Sequence, residues 1–177
     1  MPVAPDGRPL ADFGTRLLAY LIDSAILGAA GMLLFLPVIA WLVIDRFPDP
    51  VAMSDPYAPG VSFSDGAFGD FFVTLLLVEA GFFVFLLAAY YVYYVEMMFR
   101  TGQTLGKKLI KVKVVPFEPG ATLTRGMAAK RYLVEFVGGL FVPFLSYLDG
   151  LWQLWDKPYQ QTLHDKAART VVIKVAP

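Results

Sequence analysis

Acidic side chains within long apolar stretches are the residues of this sequence most able to do chemistry. Five carboxylates interrupt these stretches: Asp23, Glu79, Glu96, Glu135 and Asp149. A charged group in hydrocarbon costs free energy, so it normally faces a partner, a water-filled path or an ion. Within residues 17–44, 71–99 and 132–155, which contain the five carboxylates, there is no lysine or arginine to neutralise them. The pattern indicates a cation-binding or proton-relay site, or pairing with arginines at the edges of the stretches.

Asp23 is the leading candidate for coupling to a ligand or a proton. Arg16 lies seven residues earlier and Tyr20 lies between the two, so a helix places all three on one face over about 10 Å. The tyrosine hydroxyl could bridge the two charges, or Asp23 could pair with an arginine of another segment. Asp149 and Glu79 complete the predicted set of ligand- or proton-coupling residues.

A second group of charged residues is predicted to be structural. Glu96 lies near the end of its apolar stretch, where an arginine beyond the edge could neutralise it. Asp165 is expected to anchor the C-terminal tail against Arg125 or Arg131. We expect these four residues to form a polar cluster that holds the fold, because an unpaired buried charge is strongly destabilising.

Two long apolar segments must position these charges. Residues 17–44 and 71–99 each exceed the roughly 20 residues that a helix needs to cross a bilayer. The sequence is 57% hydrophobic and only 17% charged, against about 25% charged in soluble domains. The predicted fold class is therefore an all-α membrane protein with two long transmembrane helices.

A third apolar segment, at residues 125–156, is predicted to be broken. Its interior contains Gly138, Gly139 and Pro143, and proline in a helix interior breaks or kinks the helix. Two short arms would form a re-entrant or thin helical hairpin, although the segment is also long enough to cross once. The whole chain, residues 1–177, is interpreted as a single membrane domain.

Charges outside the apolar segments predict the orientation of the chain. The loop 45–70 contains five aspartates and one arginine, whereas residues 100–131 contain eight basic residues and one acid. Basic loops remain in the cytoplasm, so the loop 100–124 and the tail 157–177 are expected there. The prediction is a multi-pass protein of the cell (inner) membrane, with both termini cytoplasmic and the acidic loop outside.

The basic region suggests two further structures. Residues 111–115 alternate lysine with valine and residues 170–175 are β-branched, so the two could pair as short cytoplasmic strands. The alternative for residues 105–115 is a basic interfacial helix. In either case four lysines are expected to contact anionic lipid: Lys107, Lys108, Lys111 and Lys113.

Composition argues against several classes of function. The absence of cysteine excludes thiolate metal sites and cysteine nucleophiles, and the zero net charge argues against nucleic-acid binding. His164 is the only histidine, and with Asp165 beside it cannot make a metal site or a catalytic triad without further partners. We therefore expect no enzyme activity, no cofactor and no metal.

Three motifs resemble those of a known family. They are GTRLLAYLID at residues 14–23, GQTLGKK at 102–108 and QTLHDKAARTVV at 161–172. In this order they resemble the RDD family, which is named for one arginine and two aspartates. The resemblance implies that Arg16 is the family arginine and that Asp23 is the first aspartate.

The same resemblance implies that the second family aspartate is Asp165, with Asp149 as the other candidate. Where the family usually has a glycine before the threonine of the last motif, this chain has Arg169. The family likeness implies a membrane fold and transport of small ligands that are not identified.

The expected function is transport of a small cation or solute, which the intramembrane carboxylates could couple to protons. Two firm spans are too few to enclose a pathway, so a homo-oligomer surrounded by membrane lipids is expected. The alternative is a non-catalytic membrane scaffold or assembly partner whose charged residues are structural.

Overall fold

The computed structural model describes residues 2–47 and 67–175. The helices are α1 (Phe13–Arg46), α2 (Ala67–Tyr91), α3 (Met98–Thr101), α4 (Leu105–Leu109), α5 (Arg125–Tyr132), α6 (Gly138–Phe141), α7 (Leu145–Trp152) and α8 (Leu163–Ala168). Two π-helical turns, Val92–Met97 and Leu133–Val137, continue α2 and α5, and the strands are β1 (Val112–Pro116) and β2 (Thr170–Lys174). Most of the predicted acidic loop, 45–70, lies outside the described residues.

The two predicted long apolar helices are confirmed. Helix α1 has 34 residues and continues through Pro37, and the second apolar helix runs over Phe68–Thr101, also 34 residues. Both are long and apolar enough to cross a membrane. Each extends a few residues beyond the segments predicted from hydropathy, because polar residues at the ends of a helix add length without adding apolar character.

Contacts divide the chain into two compact units, Leu27–Ala88 on one hand and Met1–Ile26 with Ala89–Pro177 on the other. Within the first unit, α1 and α2 pack through aromatic rings, with Phe35 stacked on Phe82 at 4.4 Å between centroids. Their outer faces remain exposed; Leu33 is 76% and Ile44 is 80% accessible. An apolar helix surface of this kind suits lipid or another apolar partner.

The second unit contains the small sheet. β1 and β2 pair antiparallel with Val114 opposite Val172, and Leu10 forms an isolated bridge to Ile173. The predicted strand pairing is therefore confirmed, and the chain is mostly helical with a two-stranded sheet. A helix over the whole of residues 105–115 is wrong, because α4 ends at Leu109 and alternating valines, buried on the sheet, favour a strand from Val112.

The segment 125–156 turns back on itself. The helical path is interrupted between α6 and α7, where Phe144 adopts a positive φ of 65°. The Ser146 hydroxyl then donates to the Glu135 carbonyl oxygen at 3.2 Å. At Gly139 an added Cβ would meet the Ser146 side chain, so this glycine allows the two arms to approach. Glu135 and Asp149 are thereby placed on opposite arms.

Candidate functional site

A cavity of about 560 Å³ lies within the unit formed by residues 1–26 and 89–177. Part of its wall is apolar and includes Leu17, Phe136 and Leu140. The rest carries charged or titratable side chains from α1, α4, α5, the second π-helical turn, α7 and α8. These are Arg16, Lys107, Arg131, Glu135, Asp149 and His164. A volume of this order fits a small organic molecule.

Asp165 is the centre of a buried charge cluster beside the cavity. One carboxylate oxygen accepts a hydrogen bond from Arg16 Nη1 at 2.8 Å, and the other pairs with Arg131 Nη1. Its position is fixed by a capping box at the start of α8, in which Asp165 and Thr162 each accept from the other's backbone nitrogen. Burial alone would raise the pKa of Asp165, but the Arg131 and Arg16 guanidiniums hold it well below its usual range.

Asp23 is wholly buried and its carboxylate has three hydrogen bonds. The donors are the Tyr93 and Thr104 hydroxyls, both at 2.5 Å, and the Gly106 backbone nitrogen at 2.7 Å. A Cβ at Gly106 would lie 2.8 Å from the Asp23 Cγ, so only glycine permits this approach. Asp23 therefore joins α1 to the start of α4, and it does not line the cavity.

His164 and Asp149 form a close pair on the cavity wall. Asp149 accepts from the His164 backbone nitrogen at 2.8 Å, and its other oxygen lies 2.5 Å from Nδ1 of the ring. The Glu135 carboxylate lies 3.8 Å from the same Nδ1. An imidazole and two carboxylates therefore lie together on the cavity wall, and all three are groups that can bind a proton.

Lys107 is oriented toward the interior of the protein. Its side chain is only 14% exposed, and its Nζ lies 4.0 Å from an Asp23 oxygen and 6.0 Å from the centroid of the Tyr94 ring. Burial lowers the pKa of Lys107, partly offset by the charge of Glu135. The four predicted lipid lysines therefore differ, because Lys108 and Lys111 are exposed and Lys113 is partly buried.

The remaining predicted residues lie apart from the buried clusters or at their edges. Tyr20 lines the cavity but forms no hydrogen bond to Arg16 or Asp23 among the described residues. Glu79 is exposed in the unit Leu27–Ala88. Arg125 pairs with Glu96 at 2.7 Å in a partly exposed bridge that does not include Asp165.

Sequence reasoning missed the residues that hold Asp23, namely Tyr93, Thr104 and Gly106. Two of them lie in the GQTLGKK motif, so the motif itself was the available signal. It also missed Gln153, which lines the cavity and is buried. No group of three or more His, Asp or Glu side chains able to hold a metal ion occurs in residues 2–47 and 67–175.

Two apolar helices of membrane-spanning length, joined to a unit with buried arginine–aspartate pairing, define a membrane-type protein. The chain belongs to the RDD family, whose family model matches residues 10–169. The match covers nearly the whole chain and includes Arg16, Asp23, Asp149 and Asp165. The family resemblance drawn from the three motifs is therefore confirmed.

Two curated relatives are similar over part of the chain. Both are described as proline-rich antigen homolog, from Mycobacterium tuberculosis strains H37Rv and CDC 1551 / Oshkosh. Each is 32% identical over 74 residues, which is 42% of this chain and 29% of the relative. The match thus spans less than a third of the length of these relatives. No solved structure gives a significant match.

Proposed function

We propose that this RDD-family protein is a membrane transport protein that moves a small cation or solute, with proton exchange at the cavity. The observation that carries the proposal is the cavity itself, in which the His164–Asp149 pair and Glu135 lie together on the wall. A proton-coupled transporter needs a solute-sized space with proton-binding groups beside it, and the cavity volume together with the imidazole and carboxylates on its wall supports the proposal.

The proposal moves the coupling role away from Asp23. Both oxygens of Asp23 are already occupied by donors of the fold, so a cation would have to displace them. Arg16 is similarly engaged with Asp165 and with the Ala11 carbonyl oxygen. We assign Asp23 and Arg16 to positioning the cavity wall, and Glu135, Asp149 and His164 to the exchange of protons.

The membrane arrangement is part of the same proposal. We place the loop 100–124 and both termini in the cytoplasm because residues 100–131, from the end of the second apolar helix onward, contain eight basic residues and one acid. Lys108 and Lys111 are exposed and suited to anionic lipid. Assembly of several copies would cover the exposed apolar faces of α1 and α2.

A non-transporting scaffold is the second candidate. It is favoured by one specific observation, the internal pairing of Asp23 and Asp165, which the family resemblance implies as the first aspartate and as one of two candidates for the second. Charges that are satisfied within one chain are expected where their role is to define the fold. In that case the cavity would be a by-product of packing.

Flux into proteoliposomes tests the two candidates. The purified full chain is reconstituted and uptake of Na⁺, K⁺ and small neutral and zwitterionic solutes is followed with and without a pH gradient. Transport predicts saturable uptake that Glu135→Gln reduces at least tenfold, while Glu118→Gln, a change at an exposed acid, leaves uptake unaltered. Normal assembly with no flux of any solute would favour the scaffold and overturn the transport proposal.

A further inference from the structure

Two charges of opposite sign on the cavity wall lack a hydrogen-bonding partner. The nearest carboxylate to Lys107 Nζ is Asp23, at 4.0 Å, which is too long for a hydrogen bond. The Glu135 side chain is only 15% exposed, and its nearest cation candidate, His164 Nδ1 at 3.8 Å, is already held by Asp149 at 2.5 Å. In residues 2–47 and 67–175 neither charged group therefore has a hydrogen bond, although Lys107 has Asp23 and Glu135 has His164 at about 4 Å.

The two side chains are largely buried, 14% and 15% exposed, but their charged atoms are not closed off from the cavity in the described part of the chain. A charged group out of water needs both an opposite charge and hydrogen bonds. Lys107 and Glu135 do not pair with each other within 4.0 Å in the described part of the chain. Because both line the same cavity, a molecule in that cavity can meet the ammonium at one point and the carboxylate at another.

Two further polar atoms on residues of the same wall are unpartnered. Arg131 Nε, a donor, and Gln153 Oε1, an acceptor, are buried without a hydrogen bond among the described residues. Both side chains belong to the cavity lining and are more than nine-tenths buried. Because these two atoms are inaccessible in this structure, they mark imperfect packing behind the wall and are not contacts offered to a ligand.

The opposite charges of Lys107 and Glu135 argue against a ligand that carries only one charge. A lone cation would satisfy Glu135 but leave Lys107 beside a second positive charge, and a lone anion would do the reverse. A zwitterion satisfies both. The apolar part of the wall, formed by residues that include Leu17, Phe136 and Leu140, adds space for an uncharged body beside the charged end.

We propose that the cavity binds a zwitterionic amino acid with an apolar side chain. Its carboxylate faces Lys107, its ammonium faces Glu135, and its side chain lies against Phe136 and Leu140. The inference rests on the proposed function in that it names the class of solute, but binding can be measured without transport.

Equilibrium binding of radiolabelled leucine to the purified full chain in detergent tests the proposal. Two probes lack one charge each, 3-methylbutylamine without the carboxylate and 4-methylpentanoate without the ammonium. Saturable leucine binding is expected, with either single-charge probe competing at least tenfold more weakly. Equal competition by the amine would show a cation site and overturn the proposal, and so would the absence of saturable leucine binding.

Variants separate recognition from folding. Lys107→Met and Glu135→Gln should each weaken leucine binding at least tenfold, whereas Lys130→Met and Glu118→Gln, at exposed positions, should not. In Glu135→Gln the binding of 4-methylpentanoate should be retained while that of leucine falls to the same level, whereas a misfolded protein would bind neither. Retention of the full preference in that variant would contradict the assignment of Glu135.

A zwitterionic lipid headgroup shares this chemistry and is distinguished in the same experiment. Phosphatidylethanolamine that copurifies and is released only on denaturation, with no leucine binding after delipidation, would overturn the amino-acid proposal. Leucine binding without flux would refute transport and leave the present inference standing. Cation flux without leucine binding would refute the present inference alone.

Discussion

The Gly106 backbone nitrogen donates a hydrogen bond to the Asp23 carboxylate across 83 residues of sequence, at 2.7 Å. Asp23 lies in α1 and Gly106 in α4. The contact therefore ties the first family motif directly to the second. Its donor is a backbone N–H, which a side chain at position 106 could not supply in its place.

Gly106→Ala is expected to destabilise the protein by about 3 kcal/mol, because the new Cβ would lie 2.8 Å from the Asp23 Cγ and force the loop outward. Thermal unfolding in detergent measures the effect. Gly126→Ala is the matched control, since a Cβ there has only an ordinary contact at 3.8 Å, and its stability should change by less than about 1 kcal/mol. Equal melting temperatures of the two variants would contradict the close packing at Gly106.

Asp23→Asn should impair folding more than chemistry. One carboxylate oxygen that now accepts hydrogen bonds becomes an NH₂ donor facing Tyr93, Thr104 or Gly106, at a cost of about 1–3 kcal/mol. Melting temperature and flux per folded protein are measured together, with Asp70→Asn at an exposed site as control. Undiminished stability with complete loss of pH-dependent flux would restore Asp23 as the coupling residue.

Arg131→Met is expected to cost about 3–5 kcal/mol, because Asp165 then remains buried with one guanidinium in place of two. Chemical unfolding followed by tryptophan fluorescence gives the free energy. Arg125→Met, at a partly exposed bridge, should cost no more than about 1 kcal/mol. A loss at Arg131 no greater than that at Arg125 would argue against a structural role for the buried cluster.

Acid unfolding should depend on Asp165. The folded-state pKa of Asp165 is depressed, so its contribution to stability is present above the unfolded value of 3.8 and is lost as pH falls through the folded pKa. The melting temperature of the wild-type protein should therefore decline as pH falls from about 4 to about 2. Asp165→Asn lacks the contribution at every pH and should decline less steeply, whereas Glu118→Gln should follow the wild type. Parallel curves for all three proteins would contradict the shift.

Cysteine labelling tests the proposed orientation. A cysteine at exposed Gly120 should be protected from an impermeant reagent on intact cells, whereas one at Ser62, which lies outside the described residues, should react. Permeabilised cells provide the control, because both sites should then be labelled. Reaction of both positions on intact cells would overturn the cytoplasmic placement of the loop 100–124.

Elements with a local signal were predictable from the sequence. Hydropathy marked α1 and α2, and β-branched residues marked β1 and β2, because both patterns depend only on near neighbours in the chain. The interruption of the helix before α7 was predictable in the same way, from Gly138, Gly139 and Pro143. By contrast, nothing local distinguishes an inward lysine from an outward one in the GQTLGKK motif.

The detail of the site was less predictable because it depends on tertiary approach. Lys107 and Lys108 are adjacent and identical, yet only Lys107 turns inward, since α4 places its residue 107 beside Asp23. The pairing of His164 with Asp149 likewise needs α7 and α8 to meet. The spacing of residues within one segment of the sequence predicts neither the inward orientation of Lys107 nor the pairing of His164 with Asp149.

The Arg16–Asp165 contact joins residues 149 positions apart, which has a consequence for synthesis. During translation, α1 is complete long before Asp165, whose carboxylate neutralises Arg16, leaves the ribosome. Arg131 is also synthesised before Asp165, with which it pairs. The nascent protein therefore carries two unmatched guanidiniums until its last helix forms. A chain that stops before residue 165 would therefore keep both guanidiniums without the carboxylate that pairs with them.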